Sequence, residues 1–336
     1  MNEEEIEKLY VRHKACYGCP IHCSKITRIP DGKYAGSVVE GPEYENVWAF
    51  GAQCENADIG AIVRAEYLCD YYGLDGISTG NVIGFLMECV ERGALSRGDL
   101  PFELRFGDDE AMIRAIHVIG RREGPGYLLG EGVERLARKI TGAQDHAIHV
   151  KGMEMPAYDP RASTGMALAY ATSDRGACHL RAWPVQDELL SPEQRLDPFS
   201  KEMKAELVKT QQDFNTVLNA CGNCMFSAFA LSLRQICQLL GDATGMDVFS
   251  SPDPVLRGGE RINNLVRLFN LREGLTRERD RLPGRFSSQP LEEGPARGRV
   301  VDLDPLLDEY YLVRGWDRDG IPENNKLKEL NLVRSE

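Results

Sequence analysis

The sequence predicts a mainly α fold made of two helical domains. Apolar residues recur at helical spacing in several long segments, strand-like alternation is scarce, and 336 residues suffice for about two domains with cores of their own. Hydrophobic residues at 42% and charged residues at 27% are ordinary for a globular chain and exclude disorder. Lys and Arg number 40 against 52 Asp and Glu, a net charge of −12. A surface of that sign repels phosphate backbones and anionic headgroups, so neither nucleic acid nor a membrane surface is expected as a partner. There is no apolar run of ~18 residues, and Met1-Asn2-Glu3-Glu4-Glu5 has no signal-peptide character. The expected compartment is therefore the cytoplasm, where the 10 cysteines stay reduced.

The first domain is expected over 1–150. A helix is predicted from about Asp58 to Tyr72, with Ile59, Ile62, Val63 and Tyr67 on one side and Gly73 as its C-terminal cap. Further helices are predicted over about Asn81 to Arg92, Asp109 to Arg122 and Gly130 to Ile140, each stopping at or near a glycine. The best hairpin candidate pairs Lys25–Ile29 with Tyr34–Glu40 around Pro30-Asp31-Gly32. A polar turn at Thr141–Asp145 and a short apolar stretch at Ala147–Val150 suggest the boundary. The second domain, 151–336, is expected to hold helices over Lys201–Leu218, Phe226–Leu240 and Gly258–Leu271. A Pro-, Gly- and charge-rich tail from Arg281 would wrap it.

The sharpest local signal is Cys16-Tyr-Gly-Cys19-Pro-Ile-His-Cys23. Three thiolates so close along a loop can take three corners of a cuboidal iron–sulfur cluster, the fourth corner falling to a distant residue. Gly18 and Pro20 suit the tight, non-helical backbone this requires. The same spacing is compatible with zinc or with an unliganded turn. Pairing Cys16 and Cys19 with Cys221-Gly-Asn-Cys224 makes the two knuckles of a zinc site. Cys69, Cys89 and Cys237 fall in predicted helices, where a small buried residue is the ordinary role.

Three other segments gather chemistry. Asp70-Tyr-Tyr-Gly73-Leu74-Asp75-Gly76 closes one helix before another begins; Asp75 can accept from an N–H-rich ligand, while Ser78 or Thr79 can equally cap the next helix. Gly41-Pro-Glu43-Tyr-Glu45 sets two carboxylates beside aromatics, the surroundings that raise a carboxyl pKa, although solvated loop carboxylates are the blander reading. Asp174-Arg175-Gly-Ala-Cys178-His179-Leu-Arg181 packs an acid, two guanidinium groups, a thiol and an imidazole together. Arg175 and Arg181 should depress the His179 pKa, although a lone His is more often a structural hydrogen-bonder.

Taken in order, these segments resemble the tungsten-containing aldehyde ferredoxin oxidoreductase family. The likeness continues through Pro156-Ala-Tyr-Asp-Pro-Arg161, Gly222-x-Cys224, Leu282-Pro-x-Arg-Phe286, Leu307-Asp-Glu-Tyr-Tyr311 and Arg314-Gly-Trp-Asp317, covering almost the whole chain. It implies the second and third domains of that family, with a tungsten (or molybdenum) bis-pterin lying between them beside a [4Fe–4S] cluster. On that resemblance Cys16, Cys19, Cys23 and Cys224 ligate the cluster, and Cys221 has no matching role. One pterin is held by Asp70, Gly73, Leu74 and Asp75, the other by Asn219, Gly222 and Asn223, and Arg175 joins the cofactor-binding set. Proton transfer is carried over to Glu43 or Glu45 and to His179. The implied reaction oxidises an aldehyde to a carboxylate and passes electrons through the cluster to ferredoxin or another iron–sulfur carrier.

The sequence also departs from the family. The β-rich first domain is not found, so a separate chain supplying it is an expected partner. Asn219 and Asn223 replace the usual Asp and Leu of the second pterin loop, and Arg64 stands where a Glu for an interfacial iron falls, which argues against that metal and the family homodimer. The alternatives are a non-catalytic, cluster-bearing electron-transfer subunit and, from another class, a zinc-stapled helical binding protein.

Overall fold

The computed structural model describes residues 3–96, 98–191 and 196–332. The chain is 52% helical with few strands, so the mainly α expectation holds. It divides into two compact units, Met1–Ala157 and Tyr158–Glu336. The short strands after residue 148 thus go with the first unit.

The first unit opens with helix α1 (Glu3–Glu7) and a three-stranded antiparallel sheet in the order β1 (Tyr10–Lys14), β2 (Ser24–Arg28), β3 (Val38–Glu40). The predicted hairpin is β2–β3, with Ile26 opposite Glu40 and Arg28 opposite Val38. Strand β1, paired to β2 through Lys14 opposite Ser24, left no mark in the sequence: it is mostly exposed, so backbone hydrogen bonds rather than alternation define it.

Helices α2 (Tyr44–Phe50), α3 (Ile59–Tyr72), α4 (Gly76–Glu91) and α5 (Asp109–Arg121) build the core of this unit, around Phe50, Ile62, Leu68, Ile83, Leu86, Met112 and Ile116. As predicted, α3 ends on Gly73, in the left-handed region at φ +69°. Helix α4 starts earlier than its apolar period suggests, because the Asp75 carboxylate rather than Ser78 or Thr79 caps it. Helix α6 (Gly126–Leu129) precedes the helix predicted over Gly130–Ile140, which is shorter than expected, α7 (Val133–Ala137) starting only after Gly132 at φ +86°, and β4 (His149–Val150) pairs with β5 (Met153–Glu154).

The second unit contains α8 (Thr164–Thr172), α9 (Lys204–Ala220), α10 (Leu233–Thr244), α11 (Pro252–Arg272), α12 (Arg285–Ser288), α13 (Asp304–Arg314) and α14 (Asn324–Glu329). The helix expected over Phe226–Leu240 starts later, where Ser232 and Gln235 form a capping box. Helices α9 and α11 cross so closely that a Cβ at Gly259 would overlap the Asp213 carbonyl. The tail does not wrap this unit but enters its core: Leu306, Leu307, Tyr310 and Tyr311 of α13 are buried.

A polar hub joins α9, α11 and α13. Arg314 is fully buried and donates to Asp213 Oδ1 at 2.6 Å, Gln212 Oε1 at 2.7 Å and the Tyr310 hydroxyl at 2.9 Å. Asp213 also accepts from Asn263 Nδ2 at 2.7 Å and Lys209 Nζ at 2.9 Å. Removing one partner of a buried ion pair strands the other charge, so Arg314→Met should cost about 3–5 kcal/mol. The check is a lower urea midpoint, with no comparable loss for the exposed Arg272→Ala.

Candidate functional site

Within the first unit, Cys16, Cys19 and Cys23 all lie on the β1–β2 hairpin loop. Cys16 and Cys23 are exposed and Cys19 is partly so. The loop turns through Gly18 at φ +69°, the Cys19 N–H donating to the Cys16 carbonyl at 3.1 Å. Lys25 Nζ closes it by donating to the Cys23 carbonyl at 3.1 Å. Among the described residues, no three His, Cys, Asp or Glu side chains converge as ligands of a single metal ion. The donor set itself is three accessible thiols on one turn, which suits the separated corners of a cluster.

The β2–β3 register carries the carboxylate turn to the same end of the sheet as Cys23. The Gly41 N–H donates to the Lys25 carbonyl at 2.8 Å, and after the cis Gly41–Pro42 bond Glu43 becomes the N-cap of α2. Glu43 is exposed, yet partial burial and then the Glu40 carboxylate push its pKa up. Glu45 is half-buried, and its Oε2 accepts the Ala157 N–H at 2.9 Å. Burial raises its pKa, partly offset by that N–H. The solvated reading thus describes the exposed Glu43 but not Glu45, which the helix start fixes.

The Asp70–Asp75 turn closes α3, the Leu74 N–H donating to the Cys69 carbonyl at 2.8 Å. Asp70, Gly73 and Asp75 are exposed, and Asp75 Oδ1 accepts the Ser78 N–H at 2.7 Å. A cavity of about 320 Å³ opens beside this turn, lined by Leu74, Asp75, Arg122 and Glu154 among others. Glu154 was not singled out from the sequence. It is buried and accepts from Ser78 Oγ at 2.8 Å and the Val133 N–H at 2.7 Å, pinning the wall of the cavity. The exposed carboxylates fit an N–H-rich heterocycle, and glycines beside them leave room for it.

In the second unit, α9 ends as the Cys221 N–H donates to the Val217 carbonyl and the Asn223 N–H to the Leu218 carbonyl, with Gly222 at φ +70°. Asn219, Cys221, Gly222, Asn223 and Cys224 are all exposed, available to a ligand but not gathered by internal bonds to one another's side chains. Cys224 caps the short turn Met225–Phe229.

His179 is half-buried, and its pKa is pushed down to about 4 by burial first and then by Arg175. Arg181 does not act as expected, because it is held by Asp174 at 2.7 Å. Arg175 donates to the buried Cys178 sulfur at 2.8 Å. Two α9 side chains hold the loop: Asn215 Nδ2 donates to the Leu180 and Arg181 carbonyls, and Gln211 Oε1 accepts the Trp183 N–H at 2.8 Å. An aromatic row runs from His179 through Tyr158, Trp183 and Phe229 to Phe226, with centroids 5.7–6.0 Å apart. It joins the His179 loop to the segment just after Cys224. These residues are scattered in sequence and carry no spacing signal.

The family model for aldehyde ferredoxin oxidoreductase, domains 2 and 3, matches residues 1–332. The chain is 41% identical to the tungsten-containing aldehyde ferredoxin oxidoreductase of Pyrococcus horikoshii and 40% identical to that of Pyrococcus furiosus; each match covers 97% of this chain and 53% of the relative. It is also 32% identical to the WOR-like subunit of the Pyrococcus furiosus aliphatic sulfonate oxidoreductase, over 96% of this chain and 50% of that one. The chain therefore spans about half the length of the curated relatives it matches. The fold resembles a chain of the BamBC active-site complex of benzoyl coenzyme A reductase, solved with 1,5-dienoyl-CoA, at a TM-score of 0.78 and 21% identity, covering 98% of this chain and 54% of that one. The accessible thiols, the carboxylate turn and the glycine turns thus stand in a chain that belongs to the aldehyde ferredoxin oxidoreductase family and carries its second and third domains.

Proposed function

We propose that the chain is the cluster- and pterin-binding part of a tungsten (or molybdenum) oxidoreductase that converts an aldehyde to a carboxylate and delivers electrons to ferredoxin or a similar iron–sulfur carrier. The observation that carries this reading is the sheet register, which sets the turn bearing Glu43 and Glu45 beside the end of the Cys16–Cys23 loop. An aldehyde is favoured because the aldehyde-oxidising relatives match at 39–41% identity, against 32% for the sulfonate enzyme subunit.

When bound, the metal–pterin group supplies the Lewis acid and two-electron acceptor, and the [4Fe–4S] cluster the outlet for electrons. Cys16, Cys19, Cys23 and Cys224 would hold the cluster, as thiolates do. Asp70, Gly73, Leu74 and Asp75 would hold one pterin. Asn219, Gly222 and Asn223 would hold the other, the Asn side chains donating as well as accepting, and Arg175 would balance anionic charge. The overall change, RCHO plus water to RCOOH, two protons and two electrons, needs a proton acceptor. Both carboxyls are raised in pKa, and Glu45 suits that role better than Glu43, since it is half-buried and fixed by the Ala157 N–H. His179, neutral at physiological pH, would donate a hydrogen bond to the developing oxyanion without adding a charge.

The second reading is a cluster-bearing electron-transfer subunit. Asn219 and Asn223 in the second pterin loop favour it. Iron, tungsten, molybdenum and zinc counted per chain after anaerobic purification separate the two. About four irons with one tungsten or molybdenum is the expected result; four irons without the heavier metal select the electron-transfer reading, and zinc alone removes both.

His179→Asn should lower turnover by about 10²–10⁴-fold at unchanged metal content. A readout independent of activity follows from its pKa of about 4 against an ordinary 6.5. The unfolded chain binds this proton more readily, so the histidine's contribution to stability is present above pH 6.5 and is lost as the pH falls toward 4. Thermal unfolding over that range should show the loss in the wild type and less of it in His179→Asn.

A further inference from the structure

Helix α3 carries a carboxyl that the proposed reaction does not use. Glu66 is only 3% exposed, and the Gly41–Glu43 turn closes on it. The backbone N–H of Glu43 and the side-chain amide of Asn46 both donate to it. Its Oε1 lies so near Gly41, at φ +144°, that a Cβ there would come within 2.5 Å of it. Asn46 in turn fills the space beside Gly76, the first residue of α4, where a Cβ would overlap its Oδ1. The chain of contact therefore runs from the carboxylate turn through Glu66 and Asn46 to the Asp75 turn. Oε2 of Glu66 is buried with no hydrogen-bond partner among the described residues.

We propose that Glu66 is a positioning residue that keeps its proton in the folded chain, the neutral carboxyl tying the Glu43–Glu45 turn to the Asp75 turn through Asn46. The charged form is disfavoured because a buried carboxylate oxygen that meets no donor among the described residues is costly to ionise. The titratable groups facing Glu66 are Glu43, at the cap of α2, and Asp70 and Cys69, on its own helix; none is a cation. Burial first, then the Asp70 and Glu43 carboxylates, push its pKa up to about 8 against the two donated hydrogen bonds. Ionisation would put charge on the orphaned oxygen and loosen both turns. The consequence for turnover rests on the roles of Glu45 and Asp75 proposed above; the retained proton does not.

The test is a pH titration of the full chain by infrared difference spectroscopy, beside Glu66→Gln and Glu66→Ala. A protonated-carboxyl carbonyl band that disappears near pH 8 in the wild type and is missing from Glu66→Gln is the expected result. A wild-type chain without that band, or one that loses it in the ordinary carboxylate range, overturns the proposal, and this measurement needs no variant to fold. Thermal unfolding supplies a second arm. Because the folded pKa lies above the unfolded one, the stabilising effect of the proton is full below about pH 4.5 and is lost as the pH rises to about 8. The wild-type midpoint should therefore fall relative to Glu66→Gln across that window, and a difference that stays constant with pH overturns the proposal. In the metal-loaded enzyme, Glu66→Gln should keep turnover at pH 7 and shift its alkaline limb upward, while Glu66→Ala loses turnover at pH 7 and along the alkaline limb alike. An alkaline limb unchanged in Glu66→Gln would reduce Glu66 to packing. A chain that never loads metal would defeat the proposed function while the first two arms still decide the proton.

Discussion

The buried contact between Asp213 and Arg314 is the constraint on which the second unit depends. Taking two charges out of water is expensive, and their attraction inside the protein offsets the cost only when the remaining donors and acceptors are also satisfied. Here Tyr310, Gln212, Lys209 and Asn263 supply those partners. A network that complete is compatible with one register of α9 against α11 and α13, because a slip of any helix strands a donor. Its value lies in orientation more than in net stability.

Orientation of α9 matters because both candidate loops of this unit hang from it. Its C-terminal end becomes the Asn219–Cys224 segment, and Gln211 and Asn215 on its flank hold the backbone around His179. The start of the helix is secured by a second buried pair, Lys204 with Glu188, whose carboxylate also accepts the Gly165 N–H at 2.9 Å. Buried polar contacts thus clamp the scaffold from both ends, while Asn219, Cys221, Asn223 and Cys224 are left exposed. That division is the one a preorganised site requires.

The first unit solves the same problem by close approach. Gly80 packs where a Cβ would come within 2.6 Å of Ala49, so α2 and α4 can draw together. With Gly41 and Gly76 making room for Glu66 and Asn46, the carboxylate turn and the Asp75 turn share one support. The sheet adds the third member, because strand pairing places Lys25, two residues after Cys23, against Gly41.

Much of this was legible in one dimension. Helical periodicity and glycine stops located α3 and α5 to within a residue or two, and Pro30-Asp31-Gly32 marked the β2–β3 hairpin. Short motifs carried the family and the candidate residues, since exposed chemistry is written in consecutive side chains. What the sequence could not declare was cooperation between distant residues. Nothing local marks Glu66, Glu154, Asn215 or Arg314, each of which takes its role from what it meets across tens of residues. Strand β1 and the cap at Asp75 were missed because backbone pairing and a single carboxylate decide them, not hydrophobic period. Residue identity and spacing determined the family and the candidate residues; only the tertiary structure decided which carboxyls are buried and which imidazoles have their pKa pushed down, because desolvation and neighbouring charge exist only once the chain has packed.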